Sequence, residues 1–95
     1  MVFQDADQLD AIGAIGIARC FHVGGRMGGA LYHLYDPDAE SRPLADRAYA
    51  LDHFAAKLFK VADGFLTGEG QRLAAARTRR MRDFVTALRE EIEGK

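Results

Sequence analysis

Asp5-Ala6-Asp7-Gln8-Leu9-Asp10-Ala11-Ile12-Gly13-Ala14-Ile15-Gly16-Ile17-Ala18-Arg19 is the stretch that decides the fold. Leu9, Ile12, Gly13, Gly16, Ile17 and Cys20 recur at steps of three and four, the mark of a helix that buries one side. Asp5, Asp7 and Asp10 crowd its first turns, where the helix dipole favours anions. The spacing predicts a helix from about Gln4 to His22. Gly13 and Gly16 each cost roughly 1 kcal/mol relative to Ala inside a helix. That cost predicts a compensating close approach at this face by another backbone or a ligand.

Outward from this helix the signals change. Gly24-Gly25, Gly28-Gly29 and Asp36-Pro37 are stop and turn signals, so Val23 to Ser41 is expected to be a Gly-rich loop, long enough to be functional or mobile. Pro43 suits the first turn of a second helix, with Leu44, Ala48, Leu51, Ala55 and Leu58 on one face and a stop near Asp63-Gly64. A third helix is expected from Gly68 to Glu93. Thr67 is placed to cap it, Leu73, Met81, Phe84, Leu88 and Ile92 keep helical spacing, and Gly94 lies just past its end. The class is all-α with three main helices in one domain spanning residues 1–95.

Composition narrows the function classes. The 95 residues are 48% hydrophobic and 28% charged, with a net charge of −1, an ordinary globular balance that does not point to nucleic acid or a membrane surface. The halves differ: residues 1–41 carry six acids and two bases, whereas residues 42–95 carry eleven bases and eight acids. One cysteine makes no internal disulfide, and Cys20 sits in an apolar stretch, so a reducing cytoplasm is the expected setting. No basic-then-apolar leader and no long apolar run is present, so neither export by a standard signal nor a membrane span is expected.

Few residues read as chemistry by themselves. His22, His33 and His53 have no second His or Cys at metal-ligand spacing, and the bland reading of each is a packed or surface side chain. Ser41, the only serine, has no triad order around it. Gly24-Gly25-Arg26-Met27-Gly28-Gly29 is open to two readings, a phosphate cradle or a flexible loop, and the absence of a preceding strand favours the loop. Arg77, Arg79, Arg80 and Arg82 fall on more than one helix face with no aromatics between them, so a solvated surface is favoured over a nucleic-acid stripe.

The acidic opening nevertheless resembles the last helix of the HD-domain metal-dependent phosphohydrolases. In that family an early His, a His-Asp dyad and a later Asp together hold a divalent metal. The later Asp stands in an Ala-Asp step followed closely by Leu, here Ala6-Asp7-Gln8-Leu9, with Gln8 where Arg is commoner. The resemblance continues through His53-Phe54, Lys57-Leu58, Lys60, Asp63, Thr67, Gly70, Leu73, Ala74, Arg77 and Met81, in the order of a C-terminal extension found in a bacterial branch of small HD hydrolases. It implies the C-terminal portion of an HD fold, with Asp7 as a metal ligand and Asp5 a possible neighbour. The implied reaction is hydrolysis of a phosphate ester or nucleotide with a divalent metal, Mn or Mg, polarising the phosphoryl oxygen and activating water. Lys57 and Arg77 are substrate-binding candidates in the complete module, with structural ion pairing as the alternative for both.

No His-Asp step occurs here, and all three histidines follow Asp7, whereas the family's other ligands precede its Asp. The expectation is therefore a C-terminal piece of the module, catalytically incomplete alone, with no catalytic residue assigned and no metal bound by this chain. The competing reading is a small helical interaction or oligomerisation module without catalysis. Exposure of the Leu9/Ile12/Gly16 stripe through loss of its neighbours would drive a two-fold dimer.

Overall fold

The computed structural model describes residues 9–64 and 68–94. Among these, three α-helices follow in chain order: α1 (Gly13–Arg26), α2 (Ala50–Ala56) and α3 (Gly68–Ile92), with a 3-10 helix at Leu58–Gly64 between α2 and α3. The sole β pairing among the described residues is an isolated parallel bridge between Ala30 and Tyr49. The all-α class holds.

The expected Gln4–His22 helix is interrupted between Leu9 and Gly13 and runs on past His22 to Arg26, while Gln4 to Gln8 lie outside the described residues. Leu9 to Ile12 form a turn, with the Ile12 amide donating to the Leu9 carbonyl at 3.3 Å, and Gly13 has φ +74°. That left-handed value breaks the helix before α1, and glycine adopts it without the Cβ penalty. A Cβ on Gly13 would also stand 3.0 Å from the Arg77 stem, and one on Gly16 would meet the Ala11 backbone, 2.6 Å from its carbonyl carbon. The expected close approach is therefore real, and both partners lie within the chain. At its other end α1 runs through Gly24-Gly25 to Arg26. It closes with Gly29 N–H on the Gly24 carbonyl and Gly28 N–H on the Gly25 carbonyl, while Gly28 has φ +80°. This pair of bonds is the Schellman end of a helix, so the glycine run is a helix cap that leads into the loop.

The second helix is shorter than expected. Residues 43–45 are irregular, 46–48 form a turn and Tyr49 pairs with Ala30, so α2 begins only at Ala50, and after Lys57 the chain tightens into the 3-10 helix. The third helix matches its expected span closely; the proposed Thr67 cap lies outside the described residues.

Leu9, Ile12, Leu51, Phe54, Leu58, Ala74 and Met81 form one buried cluster, which Phe21, Phe59 and Phe84 extend. Phe54, 1% exposed, is its hub, with ring centroids of Phe21, Phe59 and Phe84 at 6.1, 5.9 and 6.1 Å. The Leu9/Ile12/Gly16 stripe is thus already covered: Leu9 is 4% and Ile12 0% exposed, and Gly16 is buried. The expectation of a dimer through this stripe is corrected accordingly, because α2 and α3 of the same chain occupy the place a partner would take. The apolar residues left outside are others, among them Ile15, Val23, Met27, Leu31, Leu34 and Tyr35. No helix among the described residues is long and apolar enough to cross a membrane.

Candidate functional site

A cavity of about 320 Å³ opens between α1 and α2. Its floor comes from α1 and the turn before it, through Ala11, Gly16, Cys20, Val23 and Gly24, and from Ala50 and Leu58. These give an apolar wall. Arg19, Asp46, Arg47, His53 and Lys57 line it as well. Three permanent cations against one carboxylate make the cavity attractive to anions.

Each polar group has a structural reason to be there. His53 and Lys57 are four residues apart, on successive turns at the end of α2. Both meet Asp46, which the preceding loop delivers: His53 Nδ1 lies 3.3 Å and Lys57 Nζ 3.2 Å from Asp46 Oδ2. The Lys57 ammonium, then His53, holds the Asp46 carboxyl below the usual carboxylate range. Lys57 has a 67% exposed side chain, so its Asp46-paired ammonium is reachable by an incoming anion. Arg19 Nη1 donates to the Asp10 carbonyl at 3.3 Å. The Cys20 thiol points at the Ala50 carbonyl, 3.5 Å away, and burial pushes its pKa up to about 11. It stays a neutral thiol at physiological pH and serves as part of the apolar wall.

Of the residues singled out from the sequence, Lys57 lines the cavity and Arg77 does not. Arg77 is on α3, where its Nη1 donates to the Leu9 carbonyl at 2.7 Å and its stem packs on Gly13. That is the structural alternative rather than a substrate contact. Asp7 and Asp5 lie outside the described residues. His53, read from sequence as a packed or surface side chain, is a cavity residue. Arg19, Arg47 and Asp46 were not singled out either. Arg47 and Asp46 come from an irregular loop with no spacing to flag them. The signal for His53 was its i, i+4 relation to Lys57.

The remaining candidates are structural. His33 Nδ1 accepts the amides of Asp36 at 3.0 Å and Tyr35 at 3.2 Å. Arg82 lies over the Phe59 ring at 4.4 Å while Arg79 and Arg80 are exposed, so the arginine run is divided among different surroundings as its spacing predicts. Among the described residues no three His, Cys, Asp or Glu side chains come together to hold a metal ion. These residues by themselves do not fit a divalent cation.

Comparison with known proteins bears on the sequence and the fold. No family model matches the chain. Over 91 residues the chain is 40% identical to YpgQ of Bacillus subtilis, a protein described as uncharacterized, covering 96% of this chain and 38% of that protein. An HD-superfamily hydrolase from Bacillus thuringiensis superposes with a TM-score of 0.82 at 38% identity, over 97% of this chain and 45% of that one. The structure of Bacillus subtilis YpgQ in complex with ADP superposes with a TM-score of 0.76 at 36% identity, over 93% of this chain and 40% of that one. The chain spans less than half the length of each of these relatives. In fold and in sequence the chain is similar, over nearly all of its length, to part of an HD-superfamily hydrolase.

Proposed function

We propose that this chain is the C-terminal portion of a cytoplasmic HD-type phosphohydrolase for phosphate esters or nucleotides, and that its α1–α2 cavity receives the phosphate. The observation that carries the reading is the cluster of Arg19, Arg47, Lys57 and His53, with Asp46 as its one carboxylate, beside the apolar wall of the cavity. An anion with an apolar body fits both surfaces, and a nucleotide is such a molecule. ADP is bound in the YpgQ structure, which supports the nucleotide reading for this chain.

The roles divide by chemistry. Lys57 and Arg47 bind the phosphate, Arg as a planar fork and Lys as a mobile point charge. Cys20, Val23, Ala50 and Leu58 take the apolar part of the ligand. His53, engaged by Asp46 through Nδ1, keeps Nε2 as the ring nitrogen open to a ligand. Arg77 orients the turn that leads back to Asp7. The resemblance assigns Asp7 to a divalent metal, Mn or Mg, and the remaining ligands belong to parts of the module outside the described residues. The 95 residues alone are proposed to bind the ligand without turning it over.

Titration calorimetry with ADP tests this. Binding that weakens about tenfold or more in Lys57→Ala, the scale of one charged hydrogen bond, and weakens with added salt supports the reading. No binding, or binding indifferent to Lys57, overturns it. Turnover by the 95 residues with Mn or Mg, lost in Asp7→Ala, overturns the incomplete-site part alone. Leu34 and Tyr35 are 73% and 92% exposed, which favours the second reading of an interaction module; a stable oligomer in sedimentation that Leu34→Glu dissolves supports it.

A further inference from the structure

The loop between α1 and α2 folds around a buried ion pair that no proposed ligand contact uses. Asp52, 2% exposed on α2, accepts Arg42 Nη1 at 2.6 Å and Nη2 at 3.1 Å, a bidentate grip. Its Oδ2 also accepts the Ala45 amide at 2.8 Å. Arg42 in turn donates to the Asp36 carbonyl at 2.8 Å and stacks on the Tyr49 ring at 4.7 Å. Asp36 captures the Glu40 and Ser41 amides at 2.9 and 3.0 Å.

The neighbours of these groups in sequence are the cavity residues. Ala45 precedes Asp46, and Asp52 precedes His53. The buried bond from Ala45 to Asp52 therefore sets, one residue on, where Asp46 meets His53 and Lys57. Asp46 itself is only partly buried, with its side chain 26% exposed, and both of its ion-pair partners lie on the α2 side.

We propose that Asp52, clamped by Arg42, is a positioning residue that fixes Asp46 against His53 and Lys57 and so shapes the anion-binding side of the cavity. The proposal deepens the phosphate-site reading and takes its functional meaning from it. The alternative is that the pair only stabilises the loop. A stability role does not by itself move the Asp46 carboxyl relative to His53 and Lys57.

The experiment uses the 95-residue chain with Asp52→Asn, Arg42→Lys and, as control, Asp38→Asn. The control breaks the Asp38–Arg89 pair, 2.8 Å apart at the far side of the same loop. Carboxyl carbon resonances followed by NMR report the Asp46 titration, and calorimetry reports ADP affinity. Both are read at a temperature where circular dichroism shows each variant folded. In the wild type Asp46 titrates below the ordinary value of about 3.9. In Asp52→Asn it returns toward that value and ADP binding falls about tenfold, the scale of one misplaced charged contact. Arg42→Lys, which keeps the charge and loses the fork, shifts Asp46 in the same direction by less, and Asp38→Asn leaves it unchanged. If Asp52→Asn fails to fold, Arg42→Lys alone decides. A folded Asp52→Asn or Arg42→Lys with the wild-type Asp46 titration overturns the proposal, as does an equal shift in Asp38→Asn. If the wild type binds no ADP, the phosphate reading fails while the Asp46 titration still decides the clamp.

Discussion

Replacing Gly16 by Ala sets two opposed effects against each other at one position. Ala is preferred over Gly inside a helix by roughly 1 kcal/mol. Against that, the new Cβ would meet the Ala11 carbonyl, whose carbon is 2.6 Å away, a distance real Cβ atoms essentially never show. The obstacle is backbone of the turn held by the Ile12–Leu9 bond, with no flexible side-chain end to move aside. Overpacking costs about 1–3 kcal/mol, and a rigid backbone partner places this site at the upper end. The net is a loss of about 2 kcal/mol, which lowers Tm by roughly 8–16 °C in a domain of this size. Gly25→Ala is the matched comparison. It lies on the same helix with nothing within 4 Å of its Cβ, and it should raise stability by about 0.5–1 kcal/mol. Thermal unfolding by circular dichroism reads both variants. Because Gly16 and Ala11 both line the cavity, Gly16→Ala should also weaken ADP binding while Gly25→Ala leaves it intact. A Gly16→Ala chain that gains stability like Gly25→Ala refutes the close-approach argument.

Three further expectations rest on other parts of the structure. Phe54→Ala removes the hub of the core and should cost about 3–5 kcal/mol, a large share of the ~5–15 kcal/mol that holds such a domain together, as read by urea unfolding. Cys20, with its pKa at about 11, should react with a disulfide reagent at pH 8 at least about tenfold more slowly than a free thiol of pKa about 8.5, the smaller thiolate fraction outweighing its greater nucleophilicity; labelling at the free-thiol rate contradicts the buried wall. Asp52 is depressed although burial works to raise it, because bonds from Arg42 and the Ala45 amide outweigh that burial. Asp36, held mainly by the Ser41 and Glu40 amides, is depressed too. Their stabilisation is present above the unfolded carboxylate pKa near 3.9 and is lost as pH falls through the folded values. Acid unfolding should therefore set in below about pH 4, with a shallower pH dependence there in Asp52→Asn; an unchanged slope in that variant denies Asp52 its part.

Local pattern carried much of the fold. The three- and four-residue spacing of α3 located it almost residue by residue, since nothing along that helix competes with its periodicity. The cost of Gly13 and Gly16 correctly signalled close approach. Periodicity failed where side chains capture backbone: Asp52 takes the Ala45 amide and residues 43–49 stay outside the helix, so α2 starts seven residues past Pro43. It failed again at Gly13, whose positive φ breaks what reads as one helix. Lys57 was legible only through a resemblance to the HD hydrolases, whereas Arg19, Arg47 and Asp46 gather only when the loop folds back on α2. Arg77 matched the same motif but serves the Leu9 carbonyl, which no spacing distinguishes from a phosphate contact.

The central claim is that an anion seats between α1 and α2. The most direct measurement is an NMR amide and side-chain map of the 95-residue chain titrated with ADP. The account predicts saturable shifts concentrated at Arg19, Arg47, His53 and Lys57. Shifts confined to the Arg79–Arg82 surface of α3, or no saturable shifts at all, contradict it.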